Sequence, residues 1–209
     1  MTGAANRHPS VGHPCKRLMD LVGATLVLIA ASPVLLVASL LVVVTSPGPL
    51  LHRRRVIGLG GREFDAFKLR TMVADADRIL AENPELRAAF ERNYKLQTDP
   101  RVTPIGRLLR KWSLDELPQL LNVLRGEMSL VGPRMITPGE LTKYGPNAER
   151  LFSVRPGLSG LWQISGRQEI GYPERVRMDL DYIEHWRFGR DVSIALRTPA
   201  AVVRGRGAV

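Results

Sequence analysis

Two adjacent carboxylates, Asp115 and Glu116, lie in a segment that is rich in arginine and lysine. The cationic residues around them are Arg107, Arg110, Lys111, Arg125 and Arg134. A carboxylate can attack phosphorus as a nucleophile, and carboxylate oxygens are the hard ligands that Mg²⁺ prefers. Arginines bind phosphate oxygens through paired hydrogen bonds. The segment therefore predicts chemistry on a phosphorylated substrate, with one carboxylate as nucleophile and the other as metal ligand.

The same carboxylates also fit an ordinary helix start. Ser113 and Glu116 have the spacing of a capping box, with Ser113 as the N-cap. Alternatively, Pro118 begins the helix as its first residue. In both cases the acidic side chains lie at a helix N-terminus, where they are common because of the helix dipole. Spacing alone leaves both interpretations open, and they are compatible because a helix N-terminus also favours a phosphate.

An uncharged stretch runs from Leu21 to Leu51, and it is nearly all apolar as far as Val44. About 20 apolar residues suffice to cross a bilayer core of ~30 Å. A secretory signal peptide has a shorter apolar region of about 7–15 residues, and no small-residue cleavage site follows this one. The stretch therefore predicts a membrane helix over residues 16–46 rather than a signal peptide.

The flanks of this stretch favour a helix that enters and leaves the membrane on one side. The basic residues on the two flanks are Arg7, Lys16 and Arg17 before it and Arg53, Arg54 and Arg55 after it. Positive residues favour the cytoplasmic side, and Pro33 near the middle is able to bend a helix. A spanning helix remains open on these residues, because membrane helices tolerate proline.

Composition and charge limit the rest of the chain. Of its 209 residues, 44 % are hydrophobic and 24 % are charged, which excludes a disordered, collagen-like or coiled-coil protein. The formal net charge of +10 predicts anionic partners, but the chain has no recognised nucleic-acid motif. A single cysteine, Cys15, excludes a disulfide framework and a thiolate zinc site.

The pattern of apolar residues and turn residues predicts a mainly helical α+β fold with three parts. Residues 1–15 are predicted to be disordered, residues 16–46 form the membrane helix, and residues 47–209 form a compact domain. A small β-hairpin is expected around the glycine-rich turn 58–61. The pair Asp179 and Asp181 is predicted to be an ordinary polar helix face rather than a metal motif.

Four sequence motifs carry a resemblance to a known family, and the resemblance extends from about Lys16 to about Ala208. They are SLDELPQLLNVLRGEMSLVGPR (113–134), GREFDAFKLRTM (61–72), DPRVTPIGRLLR (99–110) and PGLSGLWQISGR (156–167). Together they resemble the bacterial sugar transferases that act on polyprenyl phosphate, the monotopic phosphoglycosyl transferases. The segment GLWQISGR is most similar to the exopolysaccharide-initiating branch.

The resemblance implies that residues 47–209 are a cytoplasmic sugar transferase catalytic domain. It also implies a two-step reaction at the cytoplasmic face of the bacterial inner membrane. Asp115 would attack the β-phosphate of a UDP-sugar, releasing UMP and leaving a covalent phosphosugar-aspartate. Undecaprenyl phosphate would then attack that intermediate. The resemblance also implies that the membrane helix is re-entrant and is broken at Ser32 and Pro33.

The resemblance also assigns roles to the residues around the aspartate. Glu116 would bind Mg²⁺, Arg110 and Arg134 would contact substrate phosphates, and Lys68 lies in the matching Lys-x-Arg motif. Pro133 precedes Arg134 in the substrate-binding loop. The partners implied are a UDP-sugar, undecaprenyl phosphate and membrane lipids, but not nucleic acid.

Two departures from the family pattern keep an alternative open. The loop that usually reads Pro-Arg-Pro ends in Met135 here, and Val56 stands where relatives usually have an arginine. Arg55 lies one position earlier, and a one-residue slip along a strand reverses the facing side. The alternative is a catalytically impaired, membrane-attached scaffold or binding protein of a polysaccharide assembly system.

Overall fold

The computed structural model describes residues 8–93, 96, 98–166 and 170–204. The fold is mainly helical, as predicted. The α-helices in these ranges are α1 Pro14–Thr45, α2 Ala76–Glu82, α3 Pro84–Asn93, α4 Pro104–Lys111, α5 Leu120–Arg125, α6 Leu141–Tyr144, α7 Ala148–Leu151, α8 Leu161–Ser165, α9 Tyr172–Glu184 and α10 Phe188–Arg204. Arg7 and Arg167 lie outside the described residues.

The predicted hairpin is confirmed. Strand β1 (Leu51–Ile57) pairs antiparallel with β2 (Glu63–Leu69), and the register joins Leu51 to Leu69. Gly60 and Gly61 adopt positive φ in the turn between the strands, a conformation that is costly for residues with a Cβ. The hairpin carries Lys68 near the end of β2, so it fixes one predicted site residue relative to the helices.

A second, unpredicted pair of strands holds the loop that contains Pro133. Strand β3 (Ser129–Val131) runs parallel to β4 (Gly157–Ser159). A Cβ at Gly132 would lie 2.6 Å from the carbonyl oxygen of Arg155, so the backbones approach closely only because this residue is glycine. The Gly157 amide also donates to the Pro133 carbonyl at 2.8 Å, which fixes the loop just before Arg134.

The break expected at Ser32 and Pro33 is absent, because α1 continues through both residues. A proline at position 33 has no N–H to donate to the carbonyl of Ile29, four residues earlier. The Ser32 hydroxyl donates to that same carbonyl at 2.8 Å. The serine therefore replaces the missing donor, which is how hydroxyl side chains make proline tolerable inside membrane helices.

The predicted disorder of residues 1–15 is wrong for residues 8–15. A ring nitrogen of His8 lies 2.9 Å from the Ile183 carbonyl oxygen, Ser10 is buried, and α1 already begins at Pro14. Glycine and proline content suggested disorder, but contacts with α9, more than 170 residues later in the chain, order this segment.

Helix α1 is long and apolar enough to cross a membrane, and most of its apolar surface is exposed. Near its N-terminus, Lys16 forms a buried ion pair with Asp191 at 2.8 Å. Asp20 accepts hydrogen bonds from the Ser129 hydroxyl and the Leu130 amide. Toward its C-terminus, Ala38 and Val42 pack in a cluster with residues of β2 and α4. Both ends of α1 therefore pack against the same domain.

The two departures from the family pattern lie in one hydrophobic core. Val56 is fully buried and Met135 is 5 % exposed, and both pack in the cluster that contains Phe64 and Met128. Arg55 lies on the opposite face of β1, where it pairs with carboxylates on the exposed side of the hairpin. Arg55 therefore does not replace the arginine that relatives have, whereas Val56 and Met135 serve packing.

Candidate active site

The Asp115–Glu116 pair lies on a 3₁₀ helix that spans Leu114–Gln119. The predicted capping box is wrong, because the Ser113 side chain makes no capping hydrogen bond. The Ser113 carbonyl accepts the Glu116 amide instead, at 3.3 Å. Pro118 does not begin a helix either, since it lies inside the 3₁₀ helix and α5 begins at Leu120.

Ser113 has a left-handed backbone conformation, with φ of 55°. Among the described residues it is the one non-glycine residue with positive φ. This conformation costs about 1–2 kcal/mol, and such strain often occurs at functional sites. Its structural effect is a sharp reversal between α4 and the 3₁₀ helix, which turns both carboxylates toward β2.

Lys68 bridges the two carboxylates. Its Nζ lies 2.8 Å from Oδ2 of Asp115 and 3.7 Å from Oε1 of Glu116. The approach to Asp115 is not aligned as a hydrogen bond, so this contact is electrostatic. Asp115 is only 2 % exposed. The ammonium group of Lys68 therefore covers and partly neutralises the nucleophile that the sequence predicts.

Arg134 holds Glu116 through both guanidinium nitrogens, with Nη1 3.1 Å from Oε2 and Nη2 on Oε1. Burial opposes the charge of Glu116, but Arg134 and Lys68 outweigh it and hold the pKa of Glu116 well below its usual value. The Arg134 guanidinium also lies 5.9 Å from the centre of the Trp162 ring. Glu116 is therefore ionised at neutral pH, and both of its oxygens are paired with Arg134.

The remaining predicted residues border this pair. Arg110 donates from Nε to the Thr71 hydroxyl at 3.0 Å. Burial lowers the pKa of Arg110, while the charge of Asp115 acts in the opposite direction. Pro133 is buried just before Arg134. The structure thus brings together Lys68, Asp115, Glu116 and Arg134, with Arg110 and Pro133 at the edge of the group.

Three charged residues that the sequence analysis did not assign to the site extend it. Glu140 is almost fully buried and lies 3.3 Å from Arg54 and 3.6 Å from Arg175. The Arg175 guanidinium lies 5.0 Å from the centre of the Trp162 ring, so Trp162 contacts both Arg134 and Arg175. Arg54, Glu140 and Arg175 therefore form a second charged group beside Arg134, and the charge of Glu140 acts on Arg134.

Signals for these residues exist in the sequence. Strand alternation places Arg54 on the same face as Val56, pointing inward rather than outward. Thr137 and Glu140 have capping-box spacing, and the structure forms this box. Arg175 precedes Asp179 by four residues, which places them on one face of a helix.

Replacement of Glu140 should destabilise the protein strongly. In Glu140→Gln, Arg54 loses its carboxylate partner and, within the described residues, the largely buried Arg175 keeps only Asp179 at 3.9 Å. Loss of one partner of a buried ion pair costs about 3–5 kcal/mol in comparable sites. The free energy of unfolding in detergent should fall by about that amount. The control is Glu91→Gln, whose exposed pair with Arg87 should contribute less than about 1 kcal/mol. Equal effects of the two variants would contradict the supporting role of Glu140.

Asp179 is not part of a polar helix face as predicted, because it is only 1 % exposed. Only Asp181 lies near the surface, where it pairs with Arg190. Asp179 accepts a hydrogen bond from the Tyr144 hydroxyl at 2.8 Å. Burial raises the pKa of Asp179 to about 6, although Arg175 and the Tyr144 hydroxyl act in the opposite direction. Asp179 thus belongs to the core that supports the site.

This raised pKa predicts a pH dependence of stability. The fold favours the protonated form, so the contribution of Asp179 is fully present below its unfolded pKa of 3.8 and is lost as the pH rises through about 6. Between about pH 4.5 and pH 7.5, wild type should lose about 2 kcal/mol relative to Asp179→Asn. Unfolding titrations of both proteins measure this difference. Parallel pH profiles would contradict the raised pKa.

No group of three or more histidine, cysteine, aspartate or glutamate side chains that would hold a metal ion occurs in the described residues. The site offers two neighbouring carboxylates, of which Glu116 is ionised. Mg²⁺ in phosphate-handling enzymes is often held by one or two carboxylates, with water and substrate phosphates completing its coordination. The residues therefore fit a Mg²⁺ that binds together with its substrate, and they do not form a complete protein-only site.

The chain is similar to known proteins over most of its length. Residues 11–205 match the family model described as bacterial sugar transferase. The chain is 45 % identical to the exopolysaccharide production protein ExoY of Sinorhizobium fredii, covering 94 % of this chain and 89 % of that protein. It is 42 % identical to the UDP-glucose:undecaprenyl-phosphate glucose-1-phosphate transferase of Caulobacter vibrioides, covering 88 % of this chain and 67 % of that protein.

A longer relative shows the same similarity in part of its length. The chain is 41 % identical to the undecaprenyl-phosphate galactose phosphotransferase of Salmonella typhimurium, covering 92 % of this chain and 41 % of that protein. The family-model match over residues 11–205 includes α1, the hairpin and the carboxylate pair. This chain belongs to the bacterial sugar transferase family, in the group that includes exopolysaccharide-initiating members.

Proposed function

We propose that this protein transfers a sugar 1-phosphate from a UDP-sugar to undecaprenyl phosphate at the cytoplasmic face of the bacterial inner membrane. The names of the relatives support this reaction, which begins exopolysaccharide synthesis. The observation that carries the proposal is the position of Asp115. A nearly buried carboxylate lies 2.8 Å from the Lys68 ammonium group and beside the Glu116–Arg134 pair.

In the first step, an Asp115 oxygen attacks the β-phosphorus of the UDP-sugar. The bond from this phosphorus to the bridging oxygen breaks, UMP leaves with that oxygen, and an acyl phosphate joins the sugar to Asp115. In the second step, a phosphate oxygen of undecaprenyl phosphate attacks the same phosphorus. The bond to Asp115 breaks, which restores the carboxylate and yields undecaprenyl-diphosphate-sugar.

Lys68 controls access to the nucleophile in this scheme. The diphosphate of the UDP-sugar carries more negative charge than one carboxylate. It therefore attracts the Lys68 ammonium group away from Oδ2 of Asp115. The movement uncovers the carboxylate and places a positive charge on the phosphate at the same time. Arg110 and Arg134 bind further phosphate oxygens, which suits the bidentate geometry of guanidinium groups.

Glu116 is the proposed ligand of Mg²⁺. When bound, Mg²⁺ neutralises phosphate charge and makes the phosphorus more electrophilic. Arg134 occupies both Glu116 oxygens in the absence of substrate. To hold Mg²⁺, Glu116 would have to give up part of its pairing with Arg134, whose guanidinium would then be free to bind substrate phosphate.

The packing of α1 supports a re-entrant rather than a spanning helix. Asp20 near one end binds β3, and Val42 near the other end packs with β2 and α4. A helix that crossed a bilayer would separate its ends by ~30 Å of hydrocarbon, and one folded domain would have to lie on both sides. We propose that the exposed apolar middle of α1 enters the membrane and that both ends remain at the cytoplasmic face.

The test is UMP release in detergent from a panel of UDP-sugars with Mg²⁺, with and without undecaprenyl phosphate. Multiple turnovers that require the lipid, with one sugar preferred, are the expected result, and they also identify the donor. A folded protein that releases no UMP from any donor would contradict the proposal. That outcome would favour the impaired-scaffold alternative.

A further inference from the structure

A groove of about 480 Å³ lies beside the first turns of α1. Its lining includes Ser10, His13, Arg17, Leu18, Leu21 and Arg155. Helix α5 begins directly after the 3₁₀ helix of Asp115 and ends beside this groove, since Arg17 donates to the Val123 and Leu124 carbonyls. The groove is therefore separate from the proposed active site, at the other end of α5.

Two arginines form the polar side of the groove. Arg155 donates from Nε to the Gly126 carbonyl at 2.8 Å, and neither of its Nη groups has a hydrogen-bond partner in the described part of the chain. Burial lowers the pKa of Arg155, and the positive charge of Arg17 lowers it further. Within the same described ranges, neither guanidinium has a carboxylate within 4.0 Å.

The helix-capping contacts account for only part of these side chains. Each guanidinium carries five N–H groups, and the α5 carbonyls accept two from Arg17 and one from Arg155. Two like charges at one groove repel each other unless an anion lies between them. Asp20 is the nearby acid that acts electrostatically on both, but it is buried and binds β3. Arg17 and Arg155 together carry two positive charges, and Asp20 balances only one of them.

The other side of the groove is apolar. Leu18 is 62 % exposed and Leu21 is 38 % exposed, and both begin the apolar surface of α1. A ligand that fits this groove combines a phosphate group with hydrocarbon chains. A free phosphate ion would satisfy only the arginines, and an uncharged lipid would satisfy only the leucines.

We infer that this groove binds one anionic phospholipid, with its phosphate between Arg17 and Arg155 and its acyl chains along Leu18 and Leu21. The inference rests on the proposed membrane placement of α1, but it does not depend on the transfer reaction. The bound lipid would fix the depth and orientation of the N-terminal end of α1 at the membrane surface.

The test is native mass spectrometry of the full chain after exchange into detergent with added dioleoyl phosphatidylglycerol or dioleoyl phosphatidylcholine. Wild type should retain one phosphatidylglycerol and release phosphatidylcholine. Arg17→Gln/Arg155→Gln should bind phosphatidylglycerol at least about tenfold more weakly, because it loses two charge-assisted contacts. The matched control is Arg62→Gln/Arg177→Gln, which removes two exposed positive charges elsewhere and should retain the lipid.

Further arms distinguish other sources of the phosphate. Inorganic phosphate that competes with phosphatidylglycerol at equal concentration would indicate a free-anion site and overturn the inference. Undecaprenyl phosphate retained in place of phosphatidylglycerol would assign the groove to the acceptor and also overturn it. If the double variant does not fold, the wild-type comparison still decides. The two phospholipids share a phosphate and differ in net headgroup charge, so their equal retention contradicts a groove that selects anionic phospholipid. UMP release is not a readout here, so the result is independent of the proposed reaction.

Discussion

Asp115→Asn is expected to lower lipid-dependent UMP release by about 10³-fold or more, because an amide is a poor nucleophile at phosphorus. The substitution keeps the shape of the side chain but removes its negative charge. Asp115 is 2 % exposed and contacts Lys68, so the amide fits the same space. The variant should therefore fold, and its thermal unfolding midpoint should confirm this.

The matched control is Asp75→Asn, an exposed carboxylate that pairs with Arg78. It should leave turnover within about twofold of wild type, because exposed ion pairs contribute little. Near-normal turnover of Asp115→Asn would contradict attack by this carboxylate. A folded but inactive Asp115→Asn that also fails to bind the UDP-sugar would indicate a binding role instead, so donor affinity is measured on the same sample.

Glu116→Gln is expected to lower turnover by about 10²-fold and to raise the Mg²⁺ concentration needed for half-maximal activity. A neutral amide is a weaker oxygen ligand than a carboxylate. The substitution also releases Arg134 from its bidentate contact. Titration with Mg²⁺ separates the two effects, because loss of Arg134 positioning alone would lower turnover without changing the Mg²⁺ requirement.

Glu63→Gln is the control for this variant. Glu63 is exposed at the start of β2, where it pairs with Arg55, and its loss should leave the Mg²⁺ requirement unchanged. Glu116→Asp keeps a carboxylate on a shorter side chain and should recover part of the activity. An unchanged Mg²⁺ requirement in Glu116→Gln would remove Glu116 as a metal ligand and leave it as the partner of Arg134.

Local sequence patterns predicted those parts of the molecule that depend on neighbouring residues. The hairpin was predicted from the glycine-rich turn 58–61, and the structure places one strand on each side of that turn. The carboxylate pair could be identified from sequence because Asp115 and Glu116 are adjacent within a segment rich in arginine and lysine.

Long-range packing explains the errors. Serine is a common N-cap residue, but the reversal after α4 gives Ser113 a left-handed backbone conformation. Its carbonyl, and not its side chain, accepts the Glu116 amide. The sequence pattern predicts an exposed side chain for Asp179, but the Tyr144 hydroxyl from another helix donates a hydrogen bond to it. Pro33 predicts a break, but the hydroxyl of Ser32 supplies the missing donor.

The supporting charges behind Arg134 illustrate a second limit of sequence reasoning. Arg54, Glu140 and Arg175 come from three elements that are far apart in the chain and meet only in the fold. Arg54 was treated as part of a basic membrane flank. Strand alternation would have placed the Arg54 side chain on the inward face of β1. Its carboxylate partner Glu140 lies 86 residues away in the chain, and no local pattern indicates that pairing.

The most direct test of the covalent mechanism is the intact mass of the protein after incubation with its UDP-sugar and Mg²⁺ in the absence of undecaprenyl phosphate. The mechanism predicts release of one UMP per protein and a mass increase of one sugar phosphate, located at Asp115 and removed when the lipid is added. The Asp115→Asn protein should show neither. An active wild-type protein that gains no mass and releases UMP only when undecaprenyl phosphate is present would contradict the covalent intermediate and indicate direct attack by the lipid phosphate.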